Sequence, residues 1–464
     1  MRTDDTITAI STPIGKGAIG IIRISGNDAL KIAENILKSD RSISKSESHK
    51  AYYGYVVNPD TGEIIDEVMY IVMKSPNTYT REDVIEINTH GGVYVMRSVL
   101  DVILSQGARL AEPGEFTFRA FINGRIDLTQ AEAVADLIEA ESEKGAKIAI
   151  KQVIGELKSS LKEIKNKIVD IYSTSEAEID FVDDNLDLEN KEIIIKRLYD
   201  ISEELHKLVE SYQIGRYYKD GIKVGIFGRV NVGKSSLLNV LVGKDRVIVS
   251  DEPGTTRDII EGEMKHNGMS LKIIDTAGLR ESNKYVEKEG IKRTKLIMED
   301  SDIAVLVIDI SDANYTDDLK IYDDLKEKFF GVKKLIIAYN KIDLIKDSNN
   351  LKPIIDSKDV VNFFISAKEK IGINELKDAL TEGIILDNLL NNNDLFIVNV
   401  RHYELLKKTY ESVLKLIEGY ENNVPNEFLA VDFKEATEYL GEITGEVTRE
   451  ELLSRIFSKF CIGK

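Results

Sequence analysis

The chain has a single cysteine among 464 residues, so no internal disulfide framework can form and a reducing compartment is expected. It also lacks a long apolar run. The longest, such as "IAVLVIDI", fall far below the roughly 20 residues a membrane span needs. The first residues, "MRTDDTITAI", carry acidic side chains and no apolar h-region, so no secretory signal is expected. Positive charge is scarce: 62 Lys and Arg stand against 80 Asp and Glu, a net charge of −18. Such a surface excludes phosphate tracking over the whole molecule, and any nucleic acid must meet a local basic patch or a partner protein. The expectation is a soluble, cytoplasmic protein with no membrane contact.

What is present supports a multidomain protein. Hydrophobic residues make up 42%, enough for sizeable cores, and the length suggests about three domains. Residues 1–122 mix β-rich runs such as "GAIGIIRISG" and "DEVMYIVMKSP" with amphipathic helical stretches such as "NDALKIAENIL" and "GGVYVMRSVLDVILSQG". An α+β domain is expected there. From "RIDLTQAEAV" the texture is long helix over 123–220, with few Gly or Pro and charges at helical spacing, most of them a solvated face. Over 221–383 apolar β runs ("KVGIFG", "LKIIDTAG", "DIAVLVIDI", "KLIIAYNK", "VVNFFISA") alternate with helices, which predicts a doubly wound, largely parallel sheet. Helical texture returns over 384–464. The fold class is therefore multidomain α/β, with the doubly wound domain inserted between two parts of a helical domain.

"GRVNVGKS" (Gly228 to Ser235) fits G-x-x-x-x-G-K-[ST] between a strand and a helix, the context that pattern requires. Loop amides cradle phosphates there, Lys234 reaches the β- and γ-phosphates, and Ser235 ligates magnesium. "IIDTAG" places Asp275 at a strand end, near the magnesium shell, and lets the Gly278 amide face the γ-phosphate. "YNKID" supplies Asn340, Lys341 and Asp343. The Asp343 carboxylate can accept from guanine N1–H and the exocyclic amine, a pair adenine does not offer. "ISAK" (Ser366, Ala367, Lys368) suits a further base-contacting loop, and "PGTTRD" supplies Thr256 as a second magnesium ligand. These four motifs in this order resemble the translation-factor class of G proteins. The residue after Gly278 is Leu279, which cannot orient water. Arg257 and Arg280 are arginine-finger candidates, and Asn231 can ligate a monovalent cation near the phosphates in place of an arginine.

The whole chain resembles the tRNA modification GTPase family (MnmE, also called TrmE). The resemblance rests on "DTITAISTPIGKGAIGIIRISG", "THGG", "PGEFTFRAFINGRIDLTQAEAV", "GTTRD", "DTAGLRE", "NVRH" and "EITGEVTREELLSRIFSKFCIGK". It implies a homodimer made through N-terminal α+β domains, a helical-bundle domain, and an inserted Ras-like G domain whose hydrolysis is activated by potassium. With the motifs above, the expected GTP contacts are Asn231, Val232, Gly233, Lys234, Ser235, Ser236, Ser250, Thr255, Thr256, Asp275, Thr276, Ala277, Gly278, Asn340, Lys341, Asp343, Ser366, Ala367 and Lys368. The resemblance puts a water-positioning glutamate at Glu287 and potassium contacts at Asn231, Ser250, Glu252 and Thr255. It implies an FAD-dependent partner in a hetero-oligomer that modifies C5 of the wobble uridine of certain tRNAs. The added aminomethyl or carboxymethylaminomethyl group draws on 5-formyl- or 5,10-methylene-tetrahydrofolate, and folate contacts carry over to Arg23, Glu86, Arg125 and Lys464.

Without the resemblance, Arg23 reads as a solvent-facing arginine on an edge strand, and His90 of "THGG" as a hydrogen-bonded turn residue rather than an acid–base group. Arg401 and His402 read as fixing the helical bundle. Arg81 departs from the family, which usually has Gly in that turn. Cys461 opens the final "CIGK", which fails the C-a-a-X prenylation pattern because Gly463 and Lys464 close it. The thiol is then either small core filler or a participant in the modification step, on a tail expected to be flexible. Two competing readings are a GTP-driven assembly factor and a P-loop small-molecule kinase. Folate binding separates the first, and nucleotide preference the second.

Overall fold

The computed structural model describes residues 4–180, 190–243, 262–275, 301–328, 334–345, 351–382 and 395–464. It divides into two compact units: Met1–Ile138 with Ile150–Ser202 and Lys408–Lys464, and Glu139–Ala149 with Glu203–Lys407.

The first unit carries a seven-stranded sheet. Its strands are β1 (Ile7–Ile10), β2 (Ile19–Ser25), β3 (Leu37–Lys38), β4 (Lys50–Val57), β5 (Ile64–Met73), β6 (Val84–His90) and β7 (Arg109–Leu110). They lie in the order β3-β4-β5-β6-β2-β1-β7. In β2 the residues Gly20, Ile22 and Ile24 are buried on one face, so the alternate position Arg23 projects from the other. On the buried face Ile22, Ile24, Ile87 and Val72 pack against α1 (Ala29–Ile36) and α2 (Val93–Ser105) through Ala33, Ile36, Val99 and Ile103. β2 lies between β1 and β6, so Arg23 is on an interior strand and not on an edge.

Helices follow. α3 (Glu115–Ile122) is short, and the long helical texture resolves into α4 (Leu128–Glu139), α5 (Glu143–Val153) and α6 (Glu156–Asp180). Local chemistry explains both interruptions. The Ser142 hydroxyl accepts from the Gly145 amide at 3.0 Å and caps α5, and Gly155 takes φ 93°, which ends it. α7 (Lys191–Asp220) precedes the second sheet. After that sheet come α11 (Val400–Glu421), α12 (Asn426–Thr444) and α13 (Glu450–Phe457). In the first unit, α12 lies along α6, with Tyr172 and Phe433 stacked at 5.4 Å.

The second unit holds a six-stranded sheet of β8 (Ile222–Phe227), β9 (Gly262–His266), β10 (Met269–Asp275), β11 (Ile303–Asp309), β12 (Lys334–Asn340) and β13 (Val360–Phe364). The order is β13-β12-β11-β8-β10-β9, all parallel except β9. β11 is buried along almost its whole length, as a parallel strand covered on both faces must be. One core packs α8 (Lys234–Val242) and α10 (Ile373–Thr381) on one face, and a second packs α9 (Thr316–Lys328) on the other. The chain passes from β8 to the edge strand β9, comes back through β10 beside β8, then crosses to β11 on the opposite side of β8. That reversal opens a crevice at the carboxyl ends of β8 and β11, where doubly wound sheets bind ligands. No helix among the described residues is long and apolar enough to cross a membrane.

Candidate functional site

Beyond β8 the chain turns through Gly228, at φ 141°, where an added Cβ would lie 2.4 Å from the Val307 carbonyl oxygen. Asn231 is exposed and takes φ 66°. Gly233 takes φ 100°, and a Cβ there would lie 2.3 Å from Asn340 Nδ2. Glycine is required at both ends of the loop because backbone and a fixed side chain approach too closely for anything larger. Lys234 opens α8 and is buried, with Nζ donating to the carbonyls of Gly228 (2.9 Å) and Arg229 (2.7 Å). The loop therefore encircles an ammonium. Ser235 and Ser236 follow it, exposed on the first turn of α8.

Asn340, the last residue of β12, holds two loops together. Its Nδ2 donates to the Val232 carbonyl at 2.8 Å, and its Oδ1 accepts from the Ala367 amide at 3.0 Å. Ser366 receives the Glu369 amide at 3.1 Å and donates its own hydroxyl to Asp343 Oδ1 at 2.6 Å. The carboxylate of Asp343 is thus oriented from behind while the residue stays exposed. Lys341 takes φ 68° and donates to Asp309 Oδ2 at 2.6 Å. Burial pushes the Asp309 carboxyl up, but Lys341 and two hydrogen bonds from Ser311 outweigh it and hold it below the usual carboxylate value. Lys368 is exposed, 3.6 Å from Glu369. Asp275 ends β10 opposite Ile226. A magnesium ion held largely by phosphate oxygens fits the exposed Ser235 hydroxyl and needs no carboxylate cage. Ser250, Glu252, Thr255, Thr256, Thr276, Ala277, Gly278 and Glu287 lie outside the described residues, as do Arg257 and Arg280.

Two members of this site escaped the sequence reading. Asp309 looked like the end of an apolar strand, and its pairing with Lys341 spans 32 residues. Arg229 lies inside the phosphate loop, yet its guanidinium meets Asp318 at 2.8 Å and Asp312 at 3.2 Å. It anchors the loop to α9.

A second constellation gathers around α3. Antiparallel register sets Arg23 opposite Glu86, and Arg23 Nε and Nη2 donate to Glu86 Oε1 at 2.9 and 2.6 Å. The guanidinium lies 5.5 Å from the Phe116 ring centre. Arg125 covers Tyr79 at 4.7 Å, and the Tyr79 hydroxyl meets the Thr117 hydroxyl at 3.0 Å. The Phe116 amide donates to the Lys464 main-chain oxygen at 3.2 Å. Arg23, Glu86, Arg125 and Lys464 are thereby linked through consecutive residues of α3. A paired carboxylate and guanidinium flanked by an aromatic ring fits a flat heterocycle with a carboxylate tail. The Cys461 thiol is free and exposed. The tail itself is docked, not loose: Gly463 is buried, and the Gly114 amide donates to the Cys461 carbonyl at 3.4 Å.

The remaining histidine expectation changes. His90 ends strand β6 and is not in a turn. Its Nδ1 lies 2.7 Å from Asp66 Oδ1, and that hydrogen bond raises its pKa. His402 is buried in α11, and Asn399 caps that helix by accepting from the Arg401 amide at 2.9 Å. Arg81 takes φ 61°, a left-handed conformation that favours glycine, and its guanidinium donates to the Asn123 carbonyl at 2.9 Å.

A family profile described as the MnmE helical domain matches residues 128–461, and one described as the GTP-binding protein TrmE N-terminus matches residues 6–125. The tRNA modification GTPase MnmE of Acetivibrio thermocellus is 42% identical over 466 residues, covering 100% of this chain and 100% of its own. The protein of that name from Thermoanaerobacter pseudethanolicus is 44% identical over 468 residues, covering 99% of each. Among solved structures, the G domain of the T. maritima FeoB iron transporter is 30% identical and covers 35% of this chain and 97% of its own, with a TM-score of 0.27. At that score the fold assignment rests on the strand order of the six-stranded sheet. With both profiles matched and relatives aligned from end to end, the chain belongs to the MnmE (TrmE) family of tRNA modification GTPases.

Proposed function

We propose that this chain is a potassium-stimulated GTP hydrolase that modifies C5 of the wobble uridine of certain tRNAs together with an FAD-dependent partner. The hydrolase activity and the role in tRNA modification follow from family membership. The observation that supports a guanine nucleotide on this chain is the Asn340 strut, which ties the phosphate loop at Val232 to the Ser366–Asp343 pair. One side chain fixes the phosphate-binding and base-binding parts in a single frame. Lys234, already encircled by its loop, neutralises phosphate charge, and Asp343 accepts from guanine. Ser235 and Thr256 hold magnesium, and Asn231, Ser250, Glu252 and Thr255 hold potassium. Potassium supplies positive charge near the phosphates, where Arg229 is unavailable because it is paired with Asp318 and Asp312. Glu287 positions the attacking water.

In the N-terminal domain, residues 1–122, the Arg23–Glu86 pair and Arg125 bind the tetrahydrofolate derivative, which supplies the one-carbon unit. The helical domain comprises 123–220 and 384–464, with the G domain over 221–383. The chain acts in the cytoplasm as a homodimer, in a hetero-oligomer with the FAD enzyme. Much of the tRNA contact falls to that partner, given a net charge of −18 here.

GTP turnover is expected to be about tenfold or more faster in potassium than in sodium at equal ionic strength, modest beside the 10²–10³ that one electrostatic contact can supply. Steady-state phosphate release measures it. Equal rates in the two salts remove the cation role of Asn231.

A further inference from the structure

We infer that Gly463 is a positioning residue for the Cys461 thiol, acting as the inner jaw of a clamp that holds the tail between α3 and the end of β1. The inference rests on the second of the two readings of that thiol, a participant in the tRNA modification step, which its exposure favours over core filler. The outer anchor is Phe460, buried against Phe457, Leu453 and Leu128. Next to it Gly114 takes φ 69°, and an added Cβ there would lie 2.7 Å from the carbonyl oxygen of Phe457, the last residue of α13, so the start of α3 meets the root of the tail backbone to backbone. The first turn of a helix has amides without intrahelical partners. Here the tail supplies the acceptors, Cys461 for the Gly114 amide and Lys464 for the Phe116 amide.

The inner jaw is Gly463 itself. It is buried at φ 93°, and a Cβ would fall 2.5 Å from the Ile10 carbonyl oxygen and 3.1 Å from Ser11 Cα. Both are backbone atoms and cannot swing aside. Glycine is needed there for its conformation and for space. Phe460 and Gly463 are fixed, so only Cys461 and Ile462 between them stand out, and both are exposed. Two pinned points so close leave the thiol little freedom. The α3 end of the clamp is rigid because the Glu115 carboxylate is fully buried. It accepts from Arg109 Nη2 at 2.6 Å, Arg119 Nη2 at 3.0 Å and the Glu112 amide at 2.7 Å.

The test compares Gly463→Ala and Cys461→Ser in the full chain, expressed in cells lacking the parent protein. Three quantities are read: wobble-uridine modification by nucleoside mass spectrometry, GTP turnover of the purified chain, and hydrogen exchange of a peptide covering residues 112–118. Gly463→Ala keeps the thiol, yet modification should fall about 10²-fold, the cost of displacing a reacting group by roughly 1 Å. GTP turnover should stay within about twofold, while exchange at the Gly114 and Phe116 amides rises about tenfold as their acceptors leave. Parental modification in Gly463→Ala overturns the inference, and so does unchanged exchange. Parental modification in Cys461→Ser instead sinks the reading of the thiol on which the inference stands.

Discussion

Replacing Asp343 by asparagine is expected to weaken GTP binding by about 10²–10⁴-fold, the worth of two hydrogen bonds to a charged acceptor. Binding of xanthosine triphosphate should rise in the same variant. In the structure the Ser366 hydroxyl donates to Asp343 Oδ1, and an asparagine oxygen can keep that bond. Its amide then points N–H toward the base. Guanine presents its own exocyclic N–H there, so donor meets donor. Xanthine carries an oxygen at that carbon and accepts. Fold and phosphate loop should survive, because Asn340, not Asp343, ties the loops together. Calorimetric titration with both nucleotides measures the exchange of preference. Equal loss for the two nucleotides would make Asp343 a structural residue of its loop.

The largest stability effect is expected at Arg119. Its guanidinium is fully buried, and it donates to the Asp5 carbonyl and Oδ1, both at 2.7 Å, to Glu82 Oε1 at 3.1 Å and to Glu115 Oε1 at 3.0 Å. Arg109 is the second cation of the cluster, donating to Asp5 Oδ2 at 2.7 Å and Glu115 Oε1 at 2.6 Å. Arg119→Ala leaves Asp5 and the fully buried Glu115 to share Arg109, and takes from Glu82 the guanidinium it is paired with. Removing one partner of a buried pair costs about 3–5 kcal/mol. Native-state hydrogen exchange of the α3 amides should accelerate about 10²–10⁴-fold. A change below about 1 kcal/mol would mean that water or a rearranged Arg109 replaces the lost charge. The cluster also carries a pH dependence. Hydrogen bonds from Arg109 first, and Arg119 as well, hold the Asp5 carboxyl at about 2 against its ordinary 3.8, although burial opposes them. Its contribution is complete above the unfolded value of 3.8 and is lost as pH falls through about 2.

The phosphate loop was legible in the sequence because its chemistry is local. Eight consecutive residues carry the glycines, the lysine and the serine, and the flanking apolar strand and helix declare the context. The parallel sheet was legible for the same reason, since strands buried on both faces are continuous apolar runs. Pairings between distant residues were not. Arg23 sits in "GIIRISG" like an edge arginine, and only the β2–β6 register brings Glu86 to it from 63 residues away. Arg119 is hidden in "FTFRAFI", where nothing nearby in sequence announces Asp5 or Glu82. The tail ran against expectation because glycine was taken as a mark of flexibility. At Gly463 it marks close approach, with the Ile10 carbonyl occupying the space a side chain would need. Arg81 shows the reverse case. The turn demands a left-handed residue, and this chain fills it with an arginine whose guanidinium reaches the Asn123 carbonyl.

Mass spectrometry of tRNA nucleosides tests most directly whether GTP hydrolysis on this chain serves modification of the wobble uridine, in three strains: one lacking the chain, one expressing it, and one expressing Lys234→Ala. Lys234 is buried within the phosphate loop, and its loss should abolish nucleotide chemistry without touching the α3 site. The C5-aminomethyl or carboxymethylaminomethyl uridine should vanish without the chain, return with the parent, and stay absent with Lys234→Ala. Full modification in the strain lacking the chain, or in the strain with Lys234→Ala, would contradict the account.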